Sequence, residues 1–196
     1  MSPEKLEEKI LPPGTDNIYI RMQINNELVG NVFGARWIYK GQSMIWVTQL
    51  CVSSKHRNQG IAKKLLGVLR QKDHSGVGIL SSHPFAILAV LRVFGRGLEG
   101  IDEDLKMTKW HARAVMDTCP VGYVREAQLR GVLFEGEGEG GNGTVSCADT
   151  QFWVDHEEPL QALKVIEEKG VVWPLGELPH GHEFLVLVKA RVNDHD

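Results

Sequence analysis

Cysteine is scarce and scattered in this chain of 196 residues. Its three cysteines, Cys51, Cys119 and Cys147, show no CxxC spacing and leave one unpaired in any disulfide scheme. This usage argues against a disulfide-stapled scaffold and a cysteine-based zinc site, and it favours a reducing compartment. We therefore expect the protein in the cytoplasm.

The chain also lacks a long apolar run and a large excess of either charge. No stretch approaches the roughly 18 apolar residues that a membrane span requires, and the amino-terminal segment MSPEKLEEKI is charged. The formal net charge is −3, so the composition gives no electrostatic reason to expect nucleic-acid binding. We expect neither a membrane nor a nucleic-acid partner. A chain of this length fits one domain over 1–196.

The first half of the sequence has the pattern of a strand-rich unit that leads into a helix. Strands are predicted over 18–24, 28–39 and 44–52, with Asn25-Asn26 as the turn of a hairpin. The third strand is almost continuously apolar, which is typical of a central strand covered on both faces. A helix is then predicted to begin near Gly60, because the apolar residues that follow have helical spacing. They are Ile61, Leu65, Leu66 and Leu69.

A strand over 77–80 and a helix from Pro84 to Gly95 complete a βαβ unit with parallel strands. The pattern over 102–131 is helical with a break at Cys119-Pro120. The run over 135–143 is rich in Gly and Glu and predicts a mobile surface loop. The remaining predicted elements are a strand over 151–154, a helix over 159–169 and a strand over 183–188. These patterns together predict an α/β (α+β) fold, with a mixed central sheet flanked by helices.

The segment between the third strand and the first helix has the composition of an anion site. Gly60 lets the main chain approach a bulky anion, and the first amides of the following helix have no intrahelical acceptor. The helix dipole favours negative charge there, and Arg57, Lys63 and Lys64 bring positive charge within reach. A diphosphate group fits this combination.

The spacing Leu50-x-Val52, Arg57-x-x-Gly60-x-Ala62 and Leu65-Leu66 resembles the acetyl-CoA signature of the GNAT-type N-acyltransferases. The order of strands and helices around it matches that family. The resemblance implies a sheet that is splayed at its central strands, acetyl-CoA as co-substrate and no metal. It also implies direct attack of an amine on the thioester in a ternary complex.

The resemblance assigns the cofactor-binding residues. It places pantetheine along Leu50, Cys51 and Val52, and the pyrophosphate on the amides of Asn58, Gln59, Gly60, Ile61 and Ala62. Arg57 and Lys63 are predicted from their charge to bind the same group. A main-chain amide near Leu50 would polarise the thioester carbonyl, as an oxyanion hole does.

Two positions depart from the family pattern. Where many relatives have a glutamate, this chain has Thr48, with Gln49 beside it. These two side chains either orient an amine or a water in a proton relay, or are ordinary strand residues. The position of the family's tyrosine acid falls near Val90. His83 is then the candidate proton donor, and its alternative role is to cap a helix.

A third departure concerns the acceptor site, which relatives build from a strand and two helices before the hairpin. About seventeen residues precede the hairpin here. The wall then comes from region 102–159, from another subunit, or from a part of a longer protein. A sheet edge left open in this way invites pairing with another chain, so a homodimer is a further expectation.

Three functions remain open from the sequence. The first is an N-acetyltransferase that acts on an amine of unknown identity. The second is a weak or inactive module that binds coenzyme A, and the third is a scaffold that dimerises through its sheet. The stretch His180-Gly181-His182-Glu183 brings metal-ligating residue types together but lacks a third convergent ligand, so we predict no metal.

Overall fold

The computed structural model describes residues 10–135, 143–152 and 155–191. Its strands are β1 (Asp16–Ile24), β2 (Glu27–Tyr39), β3 (Gln42–Val52), β4 (His74–Ser81), β5 (Gln128–Arg130), β6 (Cys147–Asp149) and β7 (His182–Lys189). Its α-helices are α1 (Ile61–Leu69), α2 (Pro84–Phe94), α3 (Ile101–Thr118), α4 (Gly122–Glu126), α5 (Val132–Glu135) and α6 (Glu157–Glu168). In the described part of the chain, no helix is both long and apolar enough to cross a membrane.

The strands form one mixed sheet in the order β1-β2-β3-β4-β7-β6-β5. Two tight turns produce the first three strands. Asn25 and Asn26 have φ values of 51° and 66°, and Lys40 and Gly41 have φ values of 49° and 77°. Two consecutive positive φ values are typical of the two-residue turns that join hairpin strands. The predicted hairpin is therefore confirmed. The strands β3 and β4 are the parallel pair, and α1 connects them as the βαβ pattern predicts.

The sheet is split between β3 and β4. Their pairing runs from Ser43 opposite His74 to Val47 opposite Ile79. Beyond this point β3 continues to Val52 and β4 to Ser81, and the two strands no longer pair. The place after Val47 where β3 and β4 separate is called the branch point below. A β-bulge lies there, because Phe33 of β2 pairs with Gln49 while the next residue of β2, Gly34, pairs with Val47. Thr48 is the extra residue of that bulge, a feature that re-aims side chains next to functional sites.

Helices cover both faces of the sheet. On one face, α1 and α2 pack over Ile45, Val47, Val77 and Val186, and on the other α3 and α4 pack over Met44, Trp46, Leu185 and Leu187. Gly30 of β2 brings α1 close to the sheet. A methyl group there would lie 2.9 Å from the Cys51 carbonyl oxygen and 3.0 Å from Ile61 Cγ2. The predicted fold class is confirmed: a mixed sheet flanked by helices and splayed at its central strands.

Two predictions about the second half were wrong in part, and a third is not tested. The break at Cys119-Pro120 is present, but a short strand, β5, lies within the region predicted as helix. The strand predicted over 151–154 is wrong at its first two residues, because the chain already turns there. Gln151 has a φ of 57°, and its amide donates to Asp149 Oδ1 at 2.8 Å. Residues 153–154 lie outside the described part, as does the loop predicted over 135–143 except its two end residues.

Candidate functional site

The loop before α1 presents main-chain donors to solvent. Asn58 and Gly60 have φ values of 60° and 75°, and residues 57–60 are all exposed. Gly60 is the N-cap of α1 and supplies no side chain to satisfy the first amides. Within the described ranges, no acceptor is found for the amides of residues 60–63. Free amides at the positive end of a helix dipole are the arrangement that favours a bound anion.

The side chains around this loop are mostly cationic or amide-bearing. Lys63 is exposed on the first turn of α1, and Gln59 Nε2 donates to the Lys55 carbonyl at 3.3 Å. The Ile61 side chain is buried and Ala62 is partly buried, so these two residues contribute through their amides. Asn58 is exposed and supports the turn through its left-handed conformation. The predicted pyrophosphate residues are therefore neighbours in space.

Arg57 already has an anionic partner in the chain itself. Its guanidinium forms an ion pair with Glu158 of α6, and both side chains are about half exposed. His83 Nε2 lies 3.5 Å from the same Glu158 oxygen. A carboxylate from another part of the chain thus lies beside the guanidinium that would bind a phosphate.

His83 caps α2. Its Nδ1 accepts a hydrogen bond from the Phe85 amide at 3.3 Å, and Pro84 follows at the first helical position. Burial lowers the pKa of His83, with the Glu158 charge acting in the opposite direction. The imidazole is therefore neutral at pH 7. Its contacts are those of the capping role, and proton donation to the leaving thiolate stays a prediction.

The free edge of β3 lies at the split. Leu50 and Val52 turn their side chains toward the core under α1, while Cys51 is exposed on the opposite side. Although Cys51 is exposed, the protein around it partly desolvates the thiol group, and this raises the pKa of Cys51, opposed by the charge of Arg57. The thiol is therefore protonated and is a poor nucleophile. Residues 50–52 pair with β2 on one side only, which leaves main-chain groups available on the side of β4.

A polar group of residues that the sequence did not predict surrounds Thr48. The Tyr123 hydroxyl of α4 donates to the Thr48 carbonyl oxygen at 3.4 Å, and the Tyr123 ring lies 5.4 Å from that of Phe152. Gln49 is partly buried in the bulge beside it. The sequence had placed no phenol near the site, because Tyr123 lies in the region whose partners the pattern left unassigned. Trp46 of β3 is fully buried.

The histidines near β7 contact main-chain groups and each other. His182 Nδ1 lies 3.0 Å from the His180 carbonyl oxygen, His156 Nε2 lies 3.0 Å from the His182 carbonyl oxygen, and the rings of His156 and His180 stack at 5.6 Å. Among residues 10–135, 143–152 and 155–191, no three His, Cys, Asp or Glu side chains converge as metal ligands.

No protein-family model matches the sequence, and no curated protein matches it. Similar solved structures include an aminoglycoside acetyltransferase from an uncultured soil metagenomic sample, in complex with sisomicin. It is 20% identical over 40% of this chain and 55% of that chain, with a TM-score of 0.34. A second aminoglycoside acetyltransferase from such a sample is 22% identical over 35% of this chain and 46% of that chain, with a TM-score of 0.29.

A candidate acetyltransferase from Agrobacterium tumefaciens is 24% identical over 47% of this chain and 77% of that chain, with a TM-score of 0.33. The chain spans about half the length of the first two structures. At these identities and TM-scores, the likeness concerns part of the fold only.

Proposed function

We propose that this protein is an acyl-CoA-dependent N-acyltransferase that moves an acetyl group from acetyl-CoA to an amine. One observation carries the proposal. Free main-chain amides at residues 60–63 lie directly after a strand, β3, that separates from its neighbour β4 beyond Val47. Acetyl-CoA needs both features, because it has a doubly charged diphosphate next to a long, amide-bearing pantetheine arm.

The two halves of the cofactor match the two parts of the site. The diphosphate would accept hydrogen bonds from the amides of residues 60–63, with Arg57 and Lys63 as mobile counter-charges. The pantetheine amides would bond to the free edge of β3 at residues 50–52, in the manner of an added strand. This arrangement directs the thioester toward the branch point at Thr48.

The chemistry is nucleophilic substitution at a thioester. The acceptor, which is an ammonium ion at neutral pH, loses one proton to become the neutral amine, its lone pair attacks the carbonyl carbon, and a C–N bond forms. The carbonyl oxygen then carries negative charge, which the Leu50 amide would stabilise. The C–S bond breaks as the carbonyl re-forms, and the second amine proton goes to sulfur to give the free thiol of coenzyme A.

Release of that thiol tests the function. Acetyl-CoA is incubated with sisomicin, spermidine or a lysine-containing peptide, and free thiol is measured against reactions that lack the amine. We expect release above background with one of these amines, with a rate that depends on both substrates. The substitution Gly60→Glu should abolish it, because a carboxylate would repel the diphosphate.

The substitution Gly67→Glu is the matched control for this test. Gly67 lies on the exposed side of the same helix, and an added Cβ there meets nothing within 4 Å. It introduces the same charge away from the first amides and should preserve thiol release. Acetyl-CoA binding without thiol release from any amine would contradict the enzymatic proposal and leave a coenzyme A-binding module.

A further inference from the structure

Several buried polar atoms near the split between β3 and β4 have no hydrogen-bond partner among the residues described. They are Trp46 Nε1, Thr48 Oγ1 and Thr150 Oγ1. A buried polar atom left unsatisfied destabilises a folded protein. Native folds keep such atoms where a water, a ligand or a reaction uses them.

These atoms surround two ionisable side chains, Tyr123 and Glu183. The Trp46 indole N–H lies close enough to the Tyr123 hydroxyl to oppose the rise in the pKa of Tyr123. The two groups do not form a hydrogen bond of normal geometry. The Thr150 hydroxyl acts in the same way on the pKa of Glu183. Both ionisable residues are partly buried, and burial is the main cause of the shift in each pKa.

The sheet places Glu183 on the same face as Trp46. Leu185 and Leu187 of β7 pack in the core under α3 with Trp46, and alternation along a strand gives Glu183 the same side. Glu183 lies at the start of β7, opposite Ala148 of β6, and β7 pairs with β4 up to Phe184 opposite Ser81. The carboxylate therefore lies at the end of the sheet where β3 and β4 have separated.

The charges in this cluster favour a carboxylate that accepts protons. Burial raises the pKa of Glu183, and the Thr150 hydroxyl opposes this. Burial also raises the pKa of Tyr123, with the charges of Glu183 and Cys119 adding to the effect. Burial raises the pKa of Cys119 to about 12. Tyr123 and Cys119 are thus neutral donors at pH 7, and Glu183 is their carboxyl partner, whose raised pKa moves its proton exchange toward neutral pH.

On the basis of the proposed function, we propose that Glu183 binds the ammonium group of the acceptor and removes its proton, with Tyr123 as a positioning residue that holds the Thr48 carbonyl at the branch point. The carboxylate takes one proton from the ammonium, and the neutral amine attacks the acetyl carbon. The C–S bond breaks, the second amine proton reaches sulfur, and Glu183 returns its proton to solvent. The net products are the amide, the free thiol and one proton.

The substitution Glu183→Gln tests this assignment with acetyl-CoA and whichever of sisomicin, spermidine or the lysine-containing peptide is turned over best. We expect kcat/KM for the amine to fall at least 100-fold, because a positioned base contributes about 10²–10⁴ in rate. The Kd for acetyl-CoA should stay within about 3-fold, since Glu183 lies away from the diphosphate loop. The substitution Glu168→Gln removes an exposed carboxylate of α6 and should leave both values unchanged.

The pH profile separates a catalytic carboxylate from a structural one. The wild-type rate should fall as the pH drops through the pKa of Glu183, and in Glu183→Gln the rate should instead rise toward the pKa of the amine. The fall in rate on the acid side of the profile is called the acidic limb. The substitution Thr150→Val removes the hydroxyl that lowers the pKa of Glu183, so this limb should move to higher pH. The substitution Tyr123→Phe should lower kcat about 10-fold and retain that limb.

Wild-type turnover combined with an unchanged rate and acidic limb in Glu183→Gln would overturn the assignment of Glu183 and leave the proposed function intact. An acidic limb that does not move in Thr150→Val would also overturn it, and this second variant decides the question if Glu183→Gln fails to fold. Absence of thiol release from the wild type with every amine would contradict the proposed function itself.

Discussion

At the scale of single residues, the carboxylate of Glu158 would compete with any phosphate group for the guanidinium of Arg57. The two side chains form an ion pair between α6 and the loop before α1, and both are about half exposed. Exposed pairs of this kind contribute little to stability, so the pair can open at low cost. A diphosphate would displace Glu158 from Arg57 or bind beside a negative charge.

We therefore expect Glu158→Gln to tighten acetyl-CoA binding about 3- to 10-fold. The substitution frees Arg57 and removes a charge that repels the diphosphate. Calorimetry at low and high salt measures the effect, which should shrink as salt screens the charges. The control is Glu168→Gln on the same helix, and weaker binding by Glu158→Gln would show that the ion pair instead builds the site.

Residue contacts of this type lie beyond what a local sequence pattern predicts. Arg57 and Glu158 are 101 positions apart, and Thr48 and Tyr123 are 75 positions apart. The sequence predicted the loop donors because helix geometry alone leaves the first amides unpaired. It predicted no phenol near the site, since the fold, and not the spacing, brings α4 to the bulge in β3.

At the scale of elements, Thr108 joins α3 to β7. This buried hydroxyl accepts from the Leu187 amide at 2.9 Å and donates to the Asp104 carbonyl oxygen at 2.7 Å. The Leu187 amide thus has its acceptor on a helix. The connection fixes the helical layer over the face of the sheet that carries Trp46 and Glu183.

The substitution Thr108→Val should lower the free energy of unfolding by about 1–3 kcal/mol, because it leaves the buried Leu187 amide without this acceptor. Urea denaturation followed by circular dichroism measures the change. The variant Thr108→Ser keeps the hydroxyl and should recover most of the loss. A Thr108→Val variant as stable as the wild type would contradict a role of this hydroxyl as the acceptor of the Leu187 amide.

Elements with a strong hydrophobic period were predicted well, and short ones were not. The third strand and α1 follow the pattern because their apolar residues must meet the core. The strands β5 and β6 each have three residues, which is too short for a period to show. β6 pairs with β7, and β5 pairs with β6. The pairing of β6 with β7 is long-range and depends on a sheet edge that the local sequence does not encode.

At the scale of the whole molecule, β1 is an edge strand of the described sheet. The sequence predicted an open edge here from the short segment before the hairpin. Homodimerisation through that edge and a cytoplasmic location remain predictions. The mass of the protein in solution by light scattering, one chain or two, tests the first of them.

The buried carboxyl group of Asp104 links the stability of the molecule to pH. Burial raises its pKa to about 7 from 3.8, with the Lys189 amide opposing and the Glu103 charge adding to the rise. Between pH 4 and 7 the folded state therefore binds more protons at this group than the unfolded state. The contribution of Asp104 to the free energy of unfolding falls as the pH rises through that window.

We expect Asp104→Asn to be more stable than the wild type at pH 8 by about 1–3 kcal/mol, with the difference shrinking toward pH 4. Denaturation at several pH values measures it. The substitution Asp102→Asn, at an exposed position on the same helix, should show no such trend. A difference between Asp104→Asn and wild type that is independent of pH would contradict the buried-carboxyl account.

Calorimetric titration of the protein with acetyl-CoA, in wild type, Gly60→Glu and Gly67→Glu, tests the central claim most directly. The free amides of residues 60–63 predict saturable binding by the wild type and by Gly67→Glu, and no measurable binding by Gly60→Glu. Equal binding by all three proteins would contradict a diphosphate site at the start of α1, and absence of binding by the wild type would contradict the cofactor itself.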